Sequence, residues 1–369
     1  MTSLSFSNYV FIFLSSLLIT AIIVPLAIWL SCKLNLIDVP GSFPHHNHFR
    51  STPMSGGIIL IVAFTAGATI FHLWNIPGVV TVFLAALIIF AFGLWDDMRG
   101  LNAPKKVLGQ VIATSILVFS GIRVQFLESP QIATTGPLEI YTAIDILITY
   151  LWVVGITNAF NLIDSMDGIA VGLSTTALVS YVIGTALSGQ PEITLICVFL
   201  LGITGVLFIF NAAPARIFLG DSGSQTLGFV LATISIAFVP RGFYQASSWF
   251  FPILIVGMPI FDTFLVIYSR LRLHKPVFDA SLDHVYHRLT TIGFSSSRAV
   301  ILINTAAIIM ASVAFVAINQ VPLNANLIFG ACLIVGAIGI ILLGSHSIVK
   351  TINLKVKDYI AKHEDHKDV

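Results

Sequence analysis

The sequence predicts an all-α integral membrane protein of about eleven transmembrane helices, with the N-terminus outside and the C-terminus in the cytoplasm. Of its 369 residues, 57% are hydrophobic and 9% are charged. The apolar residues gather in stretches of about 20, the helix length that crosses a hydrocarbon core of roughly 30 Å. Nearly all basic residues fall in every second gap between these stretches. A bundle of membrane helices with one basic face accounts for all three observations.

The apolar stretches follow one another with short gaps. In order, the candidate spans are residues 8–31, 55–74, 78–95, 107–122, 139–156, 168–187, 192–210, 224–239, 248–268, 298–318 and 325–345. The first lacks a basic n-region and is longer than the apolar core of a signal peptide, so we expect a retained helix. The longest segments between spans have about 25 to 30 residues, too few for a separate soluble domain. We therefore expect one membrane domain over 1–345 and a charged cytoplasmic tail over 346–369.

The orientation follows from the basic residues, because loops rich in Lys and Arg stay in the cytoplasm. All 18 of them lie on one side of the eleven spans, except Arg123 and Arg241. This asymmetry places the N-terminus outside and the C-terminal tail inside. The formal net charge of +1 gives no indication of nucleic-acid binding.

The acidic residues repeat this asymmetry, and five of them stand at span ends on the inner side. Asp96 and Asp97 close the third span, Asp164 and Asp167 precede the sixth, and Asp221 precedes the eighth. A helix C-terminus carries partial negative charge, so adjacent aspartates there are disfavoured unless a cation compensates. Any single aspartate can instead be a helix cap or a solvated loop residue. Asp145 contrasts with the five, since it lies near the outer end of the fifth span, and we expect interhelical hydrogen bonding there.

The loops around these aspartates have the composition of a diphosphate site. Glycines let backbone N–H groups approach an anion, helix N-termini point towards it, and carboxylates are the hard oxygen ligands that Mg²⁺ prefers. Five aspartates from three loops on one face therefore predict a metal and phosphate site.

A long inner loop, residues 270–298, carries the basic half of the chemistry. Arg272, His284, His287 and Arg288 can grip phosphate or a uridine ring, and two histidines three residues apart share one helix face. A positive-inside stop signal also explains the arginines, but it does not explain the paired histidines. Asp262 lies inside the ninth span, where an ionisable residue is functional by default.

At these residues the chain resembles the polyprenyl-phosphate N-acetylhexosamine-1-phosphate transferases, in particular the bacterial undecaprenyl-phosphate N-acetylglucosaminyl-1-phosphate transferase branch of the glycosyltransferase family 4 type. The matching segments are Asp96-Asp97, Lys106-Val107-Leu108-Gly109-Gln110, Asn158-Ala159-Phe160-Asn161 through Asp167-Gly168, Phe218-Leu219-Gly220-Asp221-Ser222-Gly223-Ser224, Pro259-Ile260-Phe261-Asp262 and His284 to Leu289. Tyr286 interrupts the histidines, and the absence of a His-His-His run argues against the muramyl-pentapeptide branch.

The resemblance implies a role for each matched residue. Catalysis falls to Asp96, Asp97, Asp164 and Asp167, with Asp96 or Asp97 deprotonating or orienting a lipid phosphate. Metal binding falls to Asp221, Asn158 and Asn161, with Mg²⁺ as the expected ion and Mn²⁺ as an alternative. Substrate binding falls to Lys106, Asp262, His284, His287 and Arg288, and also to Arg272, which lies outside the matching segments and is proposed from its charge.

The expected reaction moves N-acetylhexosamine 1-phosphate, with N-acetylglucosamine as the expected sugar, from a UDP-sugar to polyprenyl phosphate, releasing UMP. It initiates cell-envelope glycan synthesis in the bacterial inner membrane. The expected partners are the two substrates and membrane lipid, without nucleic acid, and a homodimer stays open. A secondary transporter of an anionic solute is the alternative from another class. Transporters place their polar residues near the bilayer midplane, whereas nearly all the candidate residues here lie at one membrane surface. A lipid diphosphate phosphatase is a further alternative, and it would need no nucleotide pocket.

Overall fold

The computed structural model describes residues 5–39, 51–127, 137–243, 249–274 and 283–345. Its α-helices are α1 (Phe6–Lys33), α2 (Gly56–Ile70), α3 (Val79–Arg99), α4 (Ala103–Phe119), α5 (Leu138–Ile163), α6 (Ile169–Leu187), α7 (Pro191–Asn211), α8 (Gly220–Ala237), α9 (Phe250–Ile255), α10 (Gly257–Arg272), α11 (Val285–Thr291), α12 (Ser296–Ile318) and α13 (Pro322–Leu343). A short 3₁₀ helix spans Leu73–Asn75, and the strands β1 (Ile37–Asp38) and β2 (Thr52–Pro53) pair antiparallel. The tail expected over 346–369 lies outside the described residues.

The prediction of an all-α membrane protein is confirmed. Within the described ranges, seven helices are long and apolar enough to cross a membrane, namely α1, α3, α5, α6, α7, α12 and α13. The other predicted spans also contain helices, and two of these, α2 and α4, have 15 and 17 residues. The count of eleven spans and their orientation stay predictions.

The ninth predicted span, 248–268, is divided between two helices, with Val256 at the junction. Pro259 lies in the first turn of α10 and has no N–H to donate to the carbonyl of Ile255. A continuous helix would leave that carbonyl without its partner. The break makes α10 a separate helix that carries Asp262 in its second turn.

Backbone contact holds the first turn of α8 between α2 and α3. A Cβ on Gly93 of α3 would lie 2.6 Å from Cα and 2.7 Å from N of Ser222, and one on Gly57 of α2 would lie 2.8 Å from the carbonyl carbon of Ser222. Only glycine permits such an approach, because Cβ contacts under 3.0 Å essentially do not occur. The two glycines therefore fix the position of the first turn of α8, which carries Asp221.

Hydrogen bonds tie the segment before α8 to the segment before α2. Phe218 N–H donates to the carbonyl of Pro53 at 2.9 Å, and Gly56 N–H donates to the carbonyl of Phe218 at 3.0 Å. Helix α8 also packs along α3 and α5, and α4 packs along both of these helices. As a result, the ends of α3 and α5 meet the starts of α4 and α8 at one end of the bundle.

A second group of helices completes the bundle. Helix α10 packs against α5, α12 and α13, and the short α11 packs against α12. This arrangement places the start of α11, which carries the histidine motif, against the helix that carries Asp262.

Candidate active site

A lysine joins two of the predicted aspartates where three helices meet. Lys106, in the first turn of α4, places Nζ 2.5 Å from Oδ2 of Asp221, in the first turn of α8. The same Nζ contacts the carboxylate of Asp96 near the end of α3. Asn161 donates from Nδ2 to the other oxygen of Asp221 at 3.0 Å. The fold thus brings together four residues that stand far apart in the sequence.

Asp97 has a different environment from its neighbour Asp96. Its Oδ1 accepts the N–H of Asp221 at 2.7 Å, and its Oδ2 accepts the N–H of Ser222 at 3.1 Å. A carboxylate over the first N–H groups of a helix satisfies donors that have no intrahelical partner. Asp97, predicted to be catalytic, therefore caps α8 and fixes the start of the helix that carries Asp221.

Asp164 and Asp167 follow the end of α5 and lie near the same cluster. Oδ2 of Asp167 accepts the N–H of Ala215 at 3.1 Å, which ties this loop to the segment before α8. Burial raises the pKa of Asp164 well above its ordinary range, and the negative charges of Asp221, Asp167 and Asp97 raise it further. The surrounding carboxylates therefore oppose the ionisation of Asp164.

A chain of buried amides connects Asn158 to Asp221. The side chains of Gln110 and Asn158 exchange hydrogen bonds of 3.1 and 2.7 Å. Gln110 Nε2 also donates to Gln225 Oε1 at 3.1 Å, and Gln225 Nε2 donates to Asp221 Oδ2 at 3.2 Å. Sequence reasoning missed both glutamines as site residues. The available signal was their position four residues after Lys106 and Asp221, on the same helix faces.

The residues around Asp221 fit a divalent cation by charge and by ligand chemistry. The described ranges contain no group of three His, Cys, Asp or Glu side chains arranged to hold a metal ion. Asp96 and Asp221 nevertheless share the ammonium of Lys106, and Asp97, Asp164 and Asp167 lie within electrostatic range of Asp221 or of one another, so carboxyl groups outnumber cations in this described cluster. Oδ1 of Asn161 makes no hydrogen bond within the described residues, so it and Asp221 are the oxygen donors best placed to hold an ion. The amide of Asn158 is engaged by Gln110 and by the carbonyl of Val154.

Asp262 forms two hydrogen bonds with the start of the histidine motif, residues His284 to Leu289. Oδ2 of Asp262 lies 2.8 Å from Nδ1 of His284, and its Oδ1 accepts the N–H of Val285 at 2.7 Å. Asp262 is fully buried. Asp262 was predicted to bind substrate, and the structure instead places it in the protein interior, hydrogen-bonded to His284. His287 is also buried, and its ring packs against Tyr286 with the two centroids 5.1 Å apart.

The arginines of this loop bind other parts of the chain. Arg288, predicted to bind substrate, donates from Nη1 to the carbonyl of Leu343 at 2.7 Å. Arg272, also predicted to bind substrate, donates from Nη1 to the carbonyl of Gly344 at 3.2 Å. Both guanidinium groups thus bind free carbonyls at the C-terminal end of α13, which is a favourable position for a cation. Arg288 thus attaches the histidine motif to α13, and Arg272 attaches the end of α10 to the same helix.

The fold defines a multi-pass membrane protein, and an acidic cluster with one lysine lies at the helix ends on one side of the described bundle. Glycosyl transferase family 4 matches residues 79–239, the part of the chain that holds Asp96, Lys106 and Asp221. The chain belongs to this family and is a phosphoglycosyltransferase by the names of its relatives. The resemblance found in the sequence motifs is confirmed.

Three relatives illustrate the match. The chain is 33% identical over 296 residues to the probable undecaprenyl-phosphate N-acetylglucosaminyl 1-phosphate transferase of Bacillus subtilis, covering 79% of this chain and 80% of that protein. It is 32% identical over 286 residues to the decaprenyl-phosphate N-acetylglucosaminephosphotransferase of Mycolicibacterium smegmatis, covering 69% of each. It is 33% identical over 208 residues to the phospho-N-acetylmuramoyl-pentapeptide-transferase of Levilactobacillus brevis, covering 52% of this chain and 63% of that protein. These names give no support to the transporter alternative.

Proposed function

We propose that this protein transfers N-acetylglucosamine 1-phosphate from UDP-N-acetylglucosamine to undecaprenyl phosphate, and so initiates a cell-envelope glycan. An oxygen of the lipid phosphate attacks the sugar-linked phosphorus, and the bond from that phosphorus to the oxygen of UMP breaks. UMP leaves, and a sugar diphospholipid stays in the membrane. The names of the relatives that match over most of the chain support this donor and this class of acceptor.

The observation that carries the proposal is the lysine ammonium between the carboxylates of Asp96 and Asp221. Two phosphates must approach each other in this reaction, and their negative charges repel. Catalysis of phosphoryl transfer is mostly positioning and neutralisation of charge, and a fixed ammonium supplies part of both. Lys106 therefore contacts phosphate, and the two carboxylates hold it where three helix ends meet.

The two adjacent aspartates of α3 have separate roles in this proposal. Asp96 orients the lipid phosphate, directly or through Lys106. Asp97 acts through α8, because both of its oxygens already accept backbone N–H groups. Asp164 and Asp167 place two further carboxyl groups at this end of the bundle, and a bound cation would favour the ionised form of Asp164.

The cofactor of the proposal is Mg²⁺, with Mn²⁺ as a substitute. Asp221 and Asn161 are the residues that would hold it, and Asn158 supports Asp221 through Gln110 and Gln225. When bound, a divalent ion neutralises charge on the diphosphate. The surplus of aspartates over lysine at this site supports a cation, and oxygen ligands favour Mg²⁺ and Mn²⁺.

The nucleotide sugar lies against the histidine motif in this proposal. His284 and His287 contact it, while Arg288 keeps the motif in place by binding the end of α13, to which Arg272 attaches the neighbouring α10. Since nucleotide sugars are soluble and the acceptor is a lipid, the site faces the cytoplasm from the inner membrane. The excess of basic residues on that side supports the orientation.

The test is an assay of purified protein with undecaprenyl phosphate and radiolabelled UDP-N-acetylglucosamine, with and without Mg²⁺. The expected result is metal-dependent transfer of label into lipid with release of UMP. Asp221→Asn should abolish it, and Asp145→Asn, which changes a buried aspartate outside this site, should retain it. Release of inorganic phosphate without UMP would favour a phosphatase. Transfer only from the muramyl-pentapeptide nucleotide would overturn the proposed donor.

A further inference from the structure

His284 has its hydrogen-bonding pattern set by a buried carboxylate. Both oxygens of Asp262 act as acceptors, one facing Nδ1 of His284 at 2.8 Å and the other receiving the N–H of Val285 at 2.7 Å. An ionised carboxylate has no proton to give, so Nδ1 is the donor of this pair. The proton on the nitrogen next to Asp262 is therefore fixed by the geometry.

Among the described residues, two buried guanidinium groups lie close to the carboxylates of Asp262 and Asp283. Arg270 Nε lies 3.1 Å from Oδ2 of Asp283, and Arg288 interacts electrostatically with both Asp283 and Asp262. Two guanidinium groups and two carboxylates are thus enclosed together, and all four residues are buried. Asp262 therefore has a cationic neighbour in Arg288 as well as its hydrogen bond to His284.

A neutral imidazole with its proton on Nδ1 presents Nε2 as a hydrogen-bond acceptor. Within the described residues, Nε2 of His284 makes no hydrogen bond, and it does not belong to the fully buried side-chain atoms that lack a partner. Nε2 is therefore accessible and open to a ligand that brings a hydrogen-bond donor.

We propose that Asp262 is a positioning residue that fixes His284 as the Nδ1–H tautomer, so that Nε2 accepts a hydrogen bond from a hydroxyl or amide group of the UDP-sugar. The proposal rests on the proposed function for the identity of this ligand. An ionised diphosphate has no proton to donate, so His284 recognises the sugar or the uridine and leaves the phosphates to other residues. Asp262 itself touches no substrate.

The direct test is nitrogen NMR of the full-length protein labelled with ¹⁵N-histidine, with His284→Gln identifying the signal. In the resting protein we expect a protonated Nδ1 and an unprotonated Nε2, and the Nε2 resonance should move when UDP-N-acetylglucosamine binds. A protonated Nε2 in the resting protein would overturn the proposal. This measurement needs no turnover and no Asp262 variant, so it separates a failure here from a failure of the proposed reaction.

Kinetics provide the second test. Asp262→Asn should raise KM for UDP-N-acetylglucosamine by about ten- to hundredfold, because the imidazole of His284 would lose the carboxylate that orients it. KM for the lipid should stay unchanged. Asp145→Asn is the matched control, because Asp145 is equally buried and accepts the N–H of Leu127 at 3.1 and 3.0 Å. An equal loss with both substrates, or the same loss in the control, would reduce Asp262 to a structural residue and overturn the proposal.

Discussion

A single methyl group on Gly93 should separate the two helices that carry the acidic residues. In Gly93→Ala, the new Cβ would lie 2.6 Å from Cα of Ser222 and 2.8 Å from the backbone oxygen of Asp221, whereas ordinary contact begins at 3.4 Å. Both neighbours are backbone atoms, so no side-chain rotation relieves the overlap. Helices α3 and α8 must move apart by about 0.6 to 0.8 Å, because a packed interior has no free space to absorb the group.

The displacement acts on the hydrogen bonds between these two helices. The bonds to Asp97, now 2.7 and 3.1 Å long, lengthen towards or beyond the usual limit of about 3.2 Å. Overpacking of this kind costs about 1 to 3 kcal/mol of stability. Turnover should fall by about ten- to hundredfold, because a misplacement approaching 1 Å at a reacting centre costs up to about a hundredfold.

The assay combines release of UMP with thermal unfolding in detergent. Gly155→Ala in α5 is the control, since no atom lies within 4 Å of the added Cβ. Replacing a helical glycine by alanine in open space should stabilise the protein by about 0.5 to 1 kcal/mol and leave turnover unchanged. Wild-type turnover and stability in Gly93→Ala would refute the backbone contact. An equal loss in both variants would show a general effect of removing membrane-helix glycines.

Three other changes test the polar groups of the site. Lys106→Met leaves facing carboxylates unneutralised, so the unfolding temperature in EDTA should fall, and added Mg²⁺ should restore more of it than in the wild type. Gln225→Leu removes a donor to Asp221, which should cost about 1 kcal/mol and raise the Mg²⁺ concentration for half-maximal activity. Asp164→Asn removes a carboxyl whose pKa is raised by burial and by Asp221 and Asp167. Ionising that group opposes folding, so wild-type stability in EDTA should fall as pH rises above the ordinary value of 3.8, and the variant should lose less.

The first two of these changes have matched controls. Lys105→Met alters the exposed neighbouring lysine and should leave the Mg²⁺ dependence unchanged. Gln190→Leu removes a glutamine that bonds Ala237 and Val239 at the opposite end of α8, and should leave the Mg²⁺ requirement of activity unchanged. Equal stability profiles against pH for wild type and Asp164→Asn would contradict the account of that residue.

The sequence was sufficient for the helices and for most of the acidic cluster, because both depend on short-range patterns. Apolar stretches of membrane length mark the helices, and aspartates next to glycines at their ends mark the loops. The different partners of Asp96 and Asp97 could not be predicted from the sequence. It depends on which helix begins above each carboxylate, and α8 begins more than a hundred residues later in the chain.

Contacts between residues far apart in the chain also explain other features that the sequence did not predict. Arg288 binds a carbonyl 55 residues away, at Leu343, and a backbone acceptor leaves no signature in the sequence. Gln110 and Gln225 meet across two helices, so their shared role appears only when α4 and α8 are placed together. The break at Val256 was missed because the apolar run continues through it, and Pro259 alone marked the change.

The attachment of the histidine motif to α13 constrains how this helix can evolve. Arg288 binds a backbone carbonyl at the end of α13, and within the described part of that helix only Ala325 is buried. Most side chains of α13 can therefore change to another apolar residue without disturbing the contact. One inserted or deleted residue would rotate the final carbonyls by about 100° around the helix axis. The guanidinium groups of Arg272 and Arg288 would then no longer face the carbonyls that they bind. Across related proteins, this helix should vary freely in composition and hardly at all in length.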